Sequence, residues 1–464
     1  MSAAKRARSS DKTDLSAVTF DPDRYVKLLG RIMNESEKLQ NNPPQGLVPQ
    51  ENLCSDHVLE ALKPYTGEGG PLTVERLEFR AGRGNVLIKY AGTTSESIAI
   101  VGSHMDVVPA NPEAWERYPF KLSVEGDELH GRGATDCLGH VALLTELMIA
   151  LAVAKPPLKH TLTALLIANE EQASDEASFG CGVEGVLETG KLDSLKSGPV
   201  LWLDCADMQP CMGTMSSVGW ELKATGKRFH SGLPHKGVNS LELASEAVAE
   251  LQKRFYERFP AHPSEKLYNF VTPSTMKPTQ VKVAPGSLNQ LPPWTEIAGD
   301  VRLTPFYEPS DLKAFLAAEV MQMNENLHEL PTRGPCSKYE IEDCKGHIEI
   351  KVDHNDVLAG IACTSDSPGA KALQTATKAV LGECVPYAIG GSLPLVRDMQ
   401  RKGFDVQLTG FGLMKTYHAD NEFCLLSDME KGFRILRGMI AEVEDMAHIE
   451  PPVPRVSRSN TTNW

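Results

Sequence analysis

Short apolar runs alternate with helix-like segments along most of this chain of 464 residues. The runs at 97–102, 162–168 and 200–203 are compact and apolar, as central parallel strands are, and a polar residue stands at or just after the end of each. Between the first two, residues 138–153 are apolar with helical periodicity, which predicts a crossover helix. The pattern therefore predicts an α/β fold whose strand ends share one edge of the sheet, where ligands bind.

The pattern of apolar and polar positions changes at about residue 211. A strand-like stretch, a loop, a helix over 241–259 and further short strands at 296–303 and 347–352 predict an inserted α+β unit. A helix over 370–381, strand-like pieces at 385–389 and 404–408 and a last helix over 428–446 then resume the first domain. We expect a mixed, mainly parallel sheet sandwiched by helices, with this division: a disordered tail 1–20, a first domain 21–210, the insertion 211–354, the rest of the first domain 355–449, and a tail 450–464.

The amino-acid composition of the chain limits the classes of function that it can have. The chain carries 47 Lys+Arg against 61 Asp+Glu, a net charge of −14, which argues against nucleic acid as the ligand because polyanions require a cationic surface. The ten cysteines are scattered without a C-x-x-C pair, which indicates a reducing compartment and hence the cytoplasm. We see no segment that is apolar for long enough to cross a membrane, and no apolar signal core at the N-terminus.

Candidate chemistry lies in a series of histidines and carboxylates that follow strands or sit on glycine-rich turns. Nitrogen and carboxylate oxygen suit zinc and its divalent neighbours, and three carboxylates with a hydroxide would balance two dications. A buried carboxylate without compensation costs several kcal/mol, so a cation is the natural partner of two adjacent glutamates placed after a buried strand. The argument is weaker for Asp204, because Asp207 could serve instead. The series comprises His104 (GSHMDVVP), Asp136 (GRGATDCLG), Glu170 and Glu171 (LLIANEEQ), Asp204 (VLWLDCAD) and His418 (MKTYHADNE).

The order and context of these motifs resemble the M20 family of co-catalytic zinc amidohydrolases. Stretches such as DCADMQPCMGT, GKRFHSGLPHKGVNSLELA and FGLMKTYHADNEFCLL are similar to the plant-type acetylornithine deacetylases within that family. The resemblance implies a catalytic domain divided by a lid domain that mediates homodimer formation. It also implies release of acetate from N2-acetyl-L-ornithine, a step of arginine biosynthesis. A dipeptidase or broader aminoacylase of the same family is the alternative, and a non-catalytic binding protein on this fold is a third hypothesis.

The resemblance also implies individual roles in a centre of two divalent ions, zinc first, with cobalt or manganese as alternatives. Asp136 would bridge the ions, with His104 and Asp204 on one and Glu171 and His418 on the other. Glu170 would be the general base that takes a proton from a two-metal-activated water and returns it to the leaving amine. Asp106 would orient the His104 imidazole. The family often has glutamate followed by proline at the fourth ligand, whereas this chain has Asp204 followed by Cys205.

Roles in the predicted lid are implied in the same way. His230 would donate to the oxygen that becomes negative during attack, reaching the site of the neighbouring subunit, and His235 is its rival. Arg302 and Asn289 would hold the substrate's α-carboxylate, against a loop formed by Gly391 and Ser392. A guanidinium binds a carboxylate through two parallel hydrogen bonds. No residue is assigned to the δ-amine of ornithine; Asp398, Asp420 and Glu422 are near motif residues, but solvated or structural roles are equally open to them.

Overall fold

A computed structural model describes residues 13–171, 180–352, 358–393 and 396–446. The α-helices over these residues are α1 (Pro22–Met33), α2 (Glu51–Leu62), α3 (Leu138–Ala154), α4 (Val183–Glu188), α5 (Ser240–Arg258), α6 (Glu265–Tyr268), α7 (Pro309–Glu325), α8 (Pro368–Leu381), α9 (Val396–Arg401) and α10 (Leu426–Glu444). The strands are β1 (Leu72–Glu78), β2 (Gly84–Tyr90), β3 (Ser97–His104), β4 (Ser123–Glu125), β5 (Glu128–His130), β6 (Thr161–Ile167), β7 (Pro199–Leu203), β8 (Cys211–Thr214), β9 (Ser216–Thr225), β10 (Thr275–Val283), β11 (Trp294–Leu303), β12 (Glu340–Ile341), β13 (Cys344–Lys345), β14 (His347–Val352), β15 (Ile361–Ala362), β16 (Tyr387–Ile389), β17 (Asp405–Thr409) and β18 (Phe423–Leu425).

The chain forms two compact units. Over the described residues, unit 1 comprises 13–171, 180–212, 363–387 and 396–446, and unit 2 comprises 213–352, 358–362 and 388–393. The first boundary lies two residues from the predicted one at 210/211. The second predicted boundary, at 354/355, lies outside the described residues, as does the predicted tail 450–464. The assignment of catalytic and lid roles to the two units stays a prediction.

The sheet of unit 1 has the order β1-β2-β6-β3-β7-β17-β8. Its centre is parallel, because β3 pairs in parallel with both β6 and β7, and β17 pairs in parallel with β7. The flanking strands β1, β2 and β8 run antiparallel to their neighbours. The expected mixed sheet between helices is confirmed, and the carboxyl ends of four parallel strands meet at one edge.

Helix α3 is the central helix of unit 1. Every residue from 138 to 152 is buried, so the helix is covered on all sides, as an almost uniformly apolar sequence requires. It packs against β3 of the sheet and against α1, α2 and α10. Across the described residues, no helix combines the length and the apolar character that crossing a bilayer demands.

The predicted tail 1–20 is corrected over its described part. Residues 1–12 lie outside the described residues, whereas Leu15 and Val18 are buried in the core of unit 1 and Phe20 packs against it. The rings of Phe20 and Phe433 lie 5.5 Å apart. The polar composition of this segment suggested a tail, but its three apolar side chains bury enough surface to hold it on the core.

Unit 2 contains an antiparallel sheet of order β10-β11-β9-β14. Strand β9 alternates between buried and half-buried residues along its whole length, so one face of the sheet is covered. Helices α5 and α7 pack on that face and form a second core with it. Strand β10 lies at the edge of this sheet, and its residues 277–283 are exposed.

Candidate metal centre

The carboxyl edge of the parallel strands carries the residues that the sequence singled out in unit 1. Strand β3 ends at His104, Glu170 and Glu171 follow β6, and Asp204 follows β7 directly. The pairing of the strands continues into the site, since the Asp204 N–H donates to the Thr409 carbonyl at 3.0 Å. Because adjacent parallel strands end at the same edge, side chains that are far apart in sequence become neighbours here.

His104 and Asp136 lie at the centre of this cluster. His104 Nε2 is 2.9 Å from Asp136 Oδ1, 3.8 Å from Asp204 Oδ1 and 4.0 Å from Glu170 Oε2. The other oxygen of Asp136, Oδ2, is 3.0 Å from His418 Nε2, and that nitrogen is 3.3 Å from Glu171 Oε2. Asp136 therefore contacts one histidine with each of its oxygens, so its carboxylate lies between the two imidazoles.

Two groups of side chains have donor atoms that lie within 4.8 Å of one another. One group is His104, Asp136 and Glu171, and the other is His104, Cys137 and Asp204. Ligand bonds to zinc are about 2.0–2.3 Å long. Donor atoms at these separations are therefore close enough together for one ion to bind a whole group after small shifts of the side chains. Cys137, in the second group, is not among the ligands expected from the sequence, because a single cysteine without a second cysteine or histidine at a fixed spacing is not a metal-binding motif.

The cluster has more negative than positive groups. Burial, together with the Asp136 charge, raises the pKa of Glu171 to about 7, and burial likewise raises the pKa of Asp204 to about 7. Burial and the nearby Asp204 raise the pKa of Glu170 well above its usual value. Asp136 differs: burial opposes ionisation, but hydrogen bonds from His104 and His418 hold its pKa below the usual range. Hydrogen bonds to Asp136 and Glu171 raise the pKa of His418 to about 11.

These observations fit a site for divalent cations. Glu171 Oε1 is buried and has no hydrogen-bond partner among the described residues, an arrangement that a cation would compensate. The pKa values of Glu171 and Asp204 are raised first by burial and then by the neighbouring charge of Asp136. The donors are imidazole nitrogens and carboxylate oxygens, which suit zinc, cobalt and manganese. The His418 side chain is 55% exposed, so the centre is open to solvent on that side.

Asp106 contacts His104 through its backbone carbonyl as well as through its carboxylate. The closest partner of His104 Nδ1 is the backbone carbonyl of Asp106, at 2.9 Å, whereas the carboxylate Oδ1 is at 3.4 Å. The two carboxylate oxygens instead accept the backbone N–H groups of Glu170 and Glu171, each at 3.1 Å. Asp106 therefore connects the histidine at the end of β3 with the glutamates that follow β6.

Glu422 organises the loop that carries Asp136. Its side chain is completely buried and accepts from the backbone N–H groups of Gly133 (3.0 Å), Thr135 (2.7 Å) and Asp136 (2.9 Å). The Arg132 guanidinium also donates to it, at 2.6 Å. Pairing of β5 with β18 brings the two segments together. The sequence left Glu422 without a role, although its position four residues after His418 in the same motif was a usable signal.

Asp204 and Asp207 differ in burial and in their contacts. Asp204 is buried within contact of His104, whereas Asp207 is exposed and its Oδ1 accepts the Met414 N–H at 3.0 Å. Asp207 also has a positive φ of 63°, which turns the chain away after the short Asp204–Cys205 segment. This geometry favours Asp204 over Asp207 as the metal ligand.

The remaining candidates lie in unit 2. His230 and Asn289 are exposed on two loops joined by the Ser231 N–H, which donates to the Asn289 carbonyl at 2.9 Å. The Arg302 side chain donates to Asp300 Oδ2 at 2.7 Å and to the Gly390 carbonyl at 3.3 Å, next to the predicted loop of Gly391 and Ser392. Within unit 2, His230 thus lies on a loop beside that of Asn289, and Arg302 lies beside the loop of Gly391 and Ser392. His235 is exposed on the loop that follows His230.

Comparison with known proteins identifies the family. The model of peptidase family M20/M25/M40 matches residues 100–442, which is most of the chain. The chain belongs to this family. Among curated M20 relatives it is 49% identical to acetylornithine deacetylase of Arabidopsis thaliana over 444 residues, covering 94% of this chain and 100% of that protein. It is 47% identical to acetylornithine deacetylase of Dictyostelium discoideum over 446 residues, covering 93% and 99%.

A solved structure supports the fold of the M20 family independently of sequence. The M20 family metallo-carboxypeptidase of Sulfolobus solfataricus aligns with a TM-score of 0.66 at 17% identity, covering 91% of this chain and 100% of that one. The resemblance to M20 enzymes drawn from the motifs is confirmed, and with it the expected fold class. The matched range includes every candidate residue of both units.

Proposed function

We propose that this protein is a metal-dependent hydrolase that removes acetate from N2-acetyl-L-ornithine, giving ornithine for arginine biosynthesis. The observation that carries the proposal is the joint position of His104, Asp136, Glu171 and His418 around one point, with Glu170 beside them. The near-complete alignment with two acetylornithine deacetylases supports this substrate over a dipeptide.

The proposed ligands are His104 and Asp204 for one ion and Glu171 and His418 for the other, with Asp136 shared. Zinc is the metal we expect, since the donors are nitrogen and oxygen and the relatives' fold includes a metallo-carboxypeptidase. Two such ions would polarise the amide carbonyl and lower the pKa of a bound water. The side chains of this protein would hold the ions in place. Hydrogen bonds to both oxygens of Asp136 lower the pKa of its carboxyl group, so this group stays ionised.

Glu170 is the residue we assign to proton transfer. Its side chain is 10% exposed, and its Oε2 lies 4.0 Å from His104 Nε2. Glu170 therefore lies at the border of the cluster. Among the described residues, no hydrogen bond joins it to Asp136. A carboxyl group whose pKa is raised by burial can accept a proton from water and then give it to the leaving amine. Its neighbour Glu171, which contacts His418, is better placed as a ligand.

His230 is the residue we assign to the oxygen that becomes negative in the transition state. Its Nδ1 accepts the Gly232 N–H at 3.0 Å, so a neutral ring carries its proton on Nε2 and can donate from there. Arg302, with Asn289, Gly391 and Ser392, would bind the α-carboxylate. Because His230 is exposed on unit 2, we propose that it serves the active site of a second subunit.

We further propose a homodimer that forms through unit 2, in the cytoplasm. The exposed edge strand β10 carries Val281 (59% exposed) and Val283 (38% exposed), and Leu288 beyond it is fully exposed. An edge strand with unpaired backbone groups and exposed apolar side chains is a surface suited to pairing with a second copy. All ten cysteines are free thiols, as a reducing compartment would keep them.

Acetate release tests the function. The full-length protein should release acetate from N2-acetyl-L-ornithine, lose this activity after dialysis against a chelator and recover it with Zn²⁺ or Co²⁺. Glu170→Gln should lower turnover about 100- to 10,000-fold, the usual contribution of a general base, whereas Glu184→Gln, at a buried glutamate that accepts the Gly180 N–H outside the cluster, should leave turnover unchanged. Faster turnover of acetylmethionine or a dipeptide would reassign the substrate, and unchanged activity after metal removal would refute the mechanism.

A further inference from the structure

Four consecutive backbone N–H groups, those of residues 168–171, are held by buried side-chain oxygens. Strand β6 ends at Ile167, so these groups lie beyond its sheet pairing and need other acceptors. Each acceptor comes from a different part of unit 1. The Ala168 N–H donates to Asn85 Oδ1 (3.0 Å), the Asn169 N–H to Glu51 Oε1 (3.2 Å), and the Glu170 and Glu171 N–H groups to the Asp106 carboxylate (3.1 Å each).

The second of these acceptors belongs to a buried ion pair. Glu51 is 0% exposed and Arg83 is 3% exposed. The Arg83 guanidinium donates to Glu51 through Nε at 3.0 Å and through its terminal nitrogen at 2.6 Å. The same terminal nitrogen donates to Asn169 Oδ1 at 3.2 Å. Glu51 and Arg83 therefore hold Asn169 from two sides, by its backbone N–H and by its side chain.

Asn169 is the residue at which the chain turns into the metal centre. Its φ is 56°, a left-handed conformation that asparagine tolerates better than most residues. The turn ends the direction of β6 and delivers Glu170 and Glu171 next to His104 and His418. A change in the Asn169 dihedral angles would displace both glutamates, because they follow it directly.

We infer that Glu51, acting with Arg83, is a positioning residue that sets the place of Glu170 through the Asn169 turn. Glu51 touches neither the proposed ligands nor the reacting groups; it lies 118 positions before Asn169 in the sequence. A misplacement of about 1 Å in a reacting group can reduce a rate about 100-fold, so a rigid turn has kinetic value. This inference rests on the proposed deacetylase function and on the assignment of Glu170 as the proton carrier.

The first test compares two ion pairs of unit 1 whose carboxylates, Glu51 and Glu146, are buried. Glu51→Gln should lower kcat for acetylornithine about 10- to 100-fold while KM changes less than about threefold, because substrate binding is untouched. The matched control is Glu146→Gln, since Glu146 also forms a two-bond pair, with Arg24 at 2.6 Å, and its other bond is to the Asp21 N–H rather than to the turn. Arg83→Lys, which keeps the charge but not the planar fork, covers the case in which Glu51→Gln fails to fold.

The second test asks whether Glu51 acts through Glu170. In a Glu170→Ala background the same Glu51→Gln change should cause no further loss of kcat, since the group that it positions is gone. Equal losses in both backgrounds, or a loss no larger than that of Glu146→Gln, would overturn the inference. If Glu170→Ala alone keeps full activity, the assignment of Glu170 fails instead, so the two failures are distinguishable. Glu51→Gln should keep the wild-type metal content; a lower content would show that the turn acts through the proposed ligand Glu171 rather than through Glu170, and would overturn the inference.

Discussion

Replacement of Glu422 should destabilise unit 1 more than replacement of Glu146. The Glu422–Arg132 pair is almost completely buried, with side chains 0% and 2% exposed. Glu422→Gln removes the charge that compensates Arg132 and turns an amide donor toward backbone N–H groups that are themselves donors. Breaking a buried ion pair on one side costs about 3–5 kcal/mol, whereas whole domains are stable by about 5–15 kcal/mol.

Urea unfolding at 25 °C, followed by circular dichroism, measures this free energy. Glu146→Gln is again the comparison, because its partner Arg24 is 34% exposed and water can solvate the unpaired guanidinium. We expect that control to lose about 1.5–3 kcal/mol, as for a hydrogen bond to a charged group. The Glu422 variant should also bind metal less well, since three of the lost contacts define the loop of Asp136. A loss below about 1 kcal/mol for Glu422→Gln would refute the reasoning.

Three further predictions concern assembly, metal and pH. Random mixing of Glu170→Ala and His230→Ala subunits should restore about a quarter of wild-type activity if His230 serves the partner's site, since half the dimers are mixed and each then has one complete site; no recovery would place His230 in its own subunit's site. Adding Zn²⁺ to chelator-treated protein should raise Tm, and Glu171→Gln should abolish most of that shift. Burial opposes ionisation of Glu444, but hydrogen bonds from His160 and the backbone keep its pKa lowered. Its stabilisation is therefore present above the unfolded-state pKa of about 4.3 and disappears as the pH falls through the lower folded value. The Tm difference between wild type and Glu444→Gln should accordingly shrink on acidification, and a difference that grows would contradict this sign.

The order of apolar and polar positions determined the fold class and the location of the candidate metal centre. The runs at 97–102, 162–168 and 200–203 became β3, β6 and β7 within one or two residues, because a fully buried strand must be apolar throughout. Polar residues directly after such runs have to lie at the sheet edge. For that reason the sequence alone identifies His104, Glu170, Glu171 and Asp204 as candidate site residues at that edge.

The supports of that centre depended on tertiary structure. Glu51, Arg83 and Glu422 stand in segments whose local patterns carry no sign of the groups that they hold, and the partners are 118 positions apart in one case and 286 in another. Periodicity reports which face of an element is buried, but not which buried polar group on another element lies opposite. The same holds for the segment 13–20, whose sparse apolar residues became part of the core only once a complementary surface was present. The sequence by itself thus determined which side chains are the candidates for the chemistry, and the folded chain decided which groups hold them, because hydrogen bonds between distant segments arise only from packing.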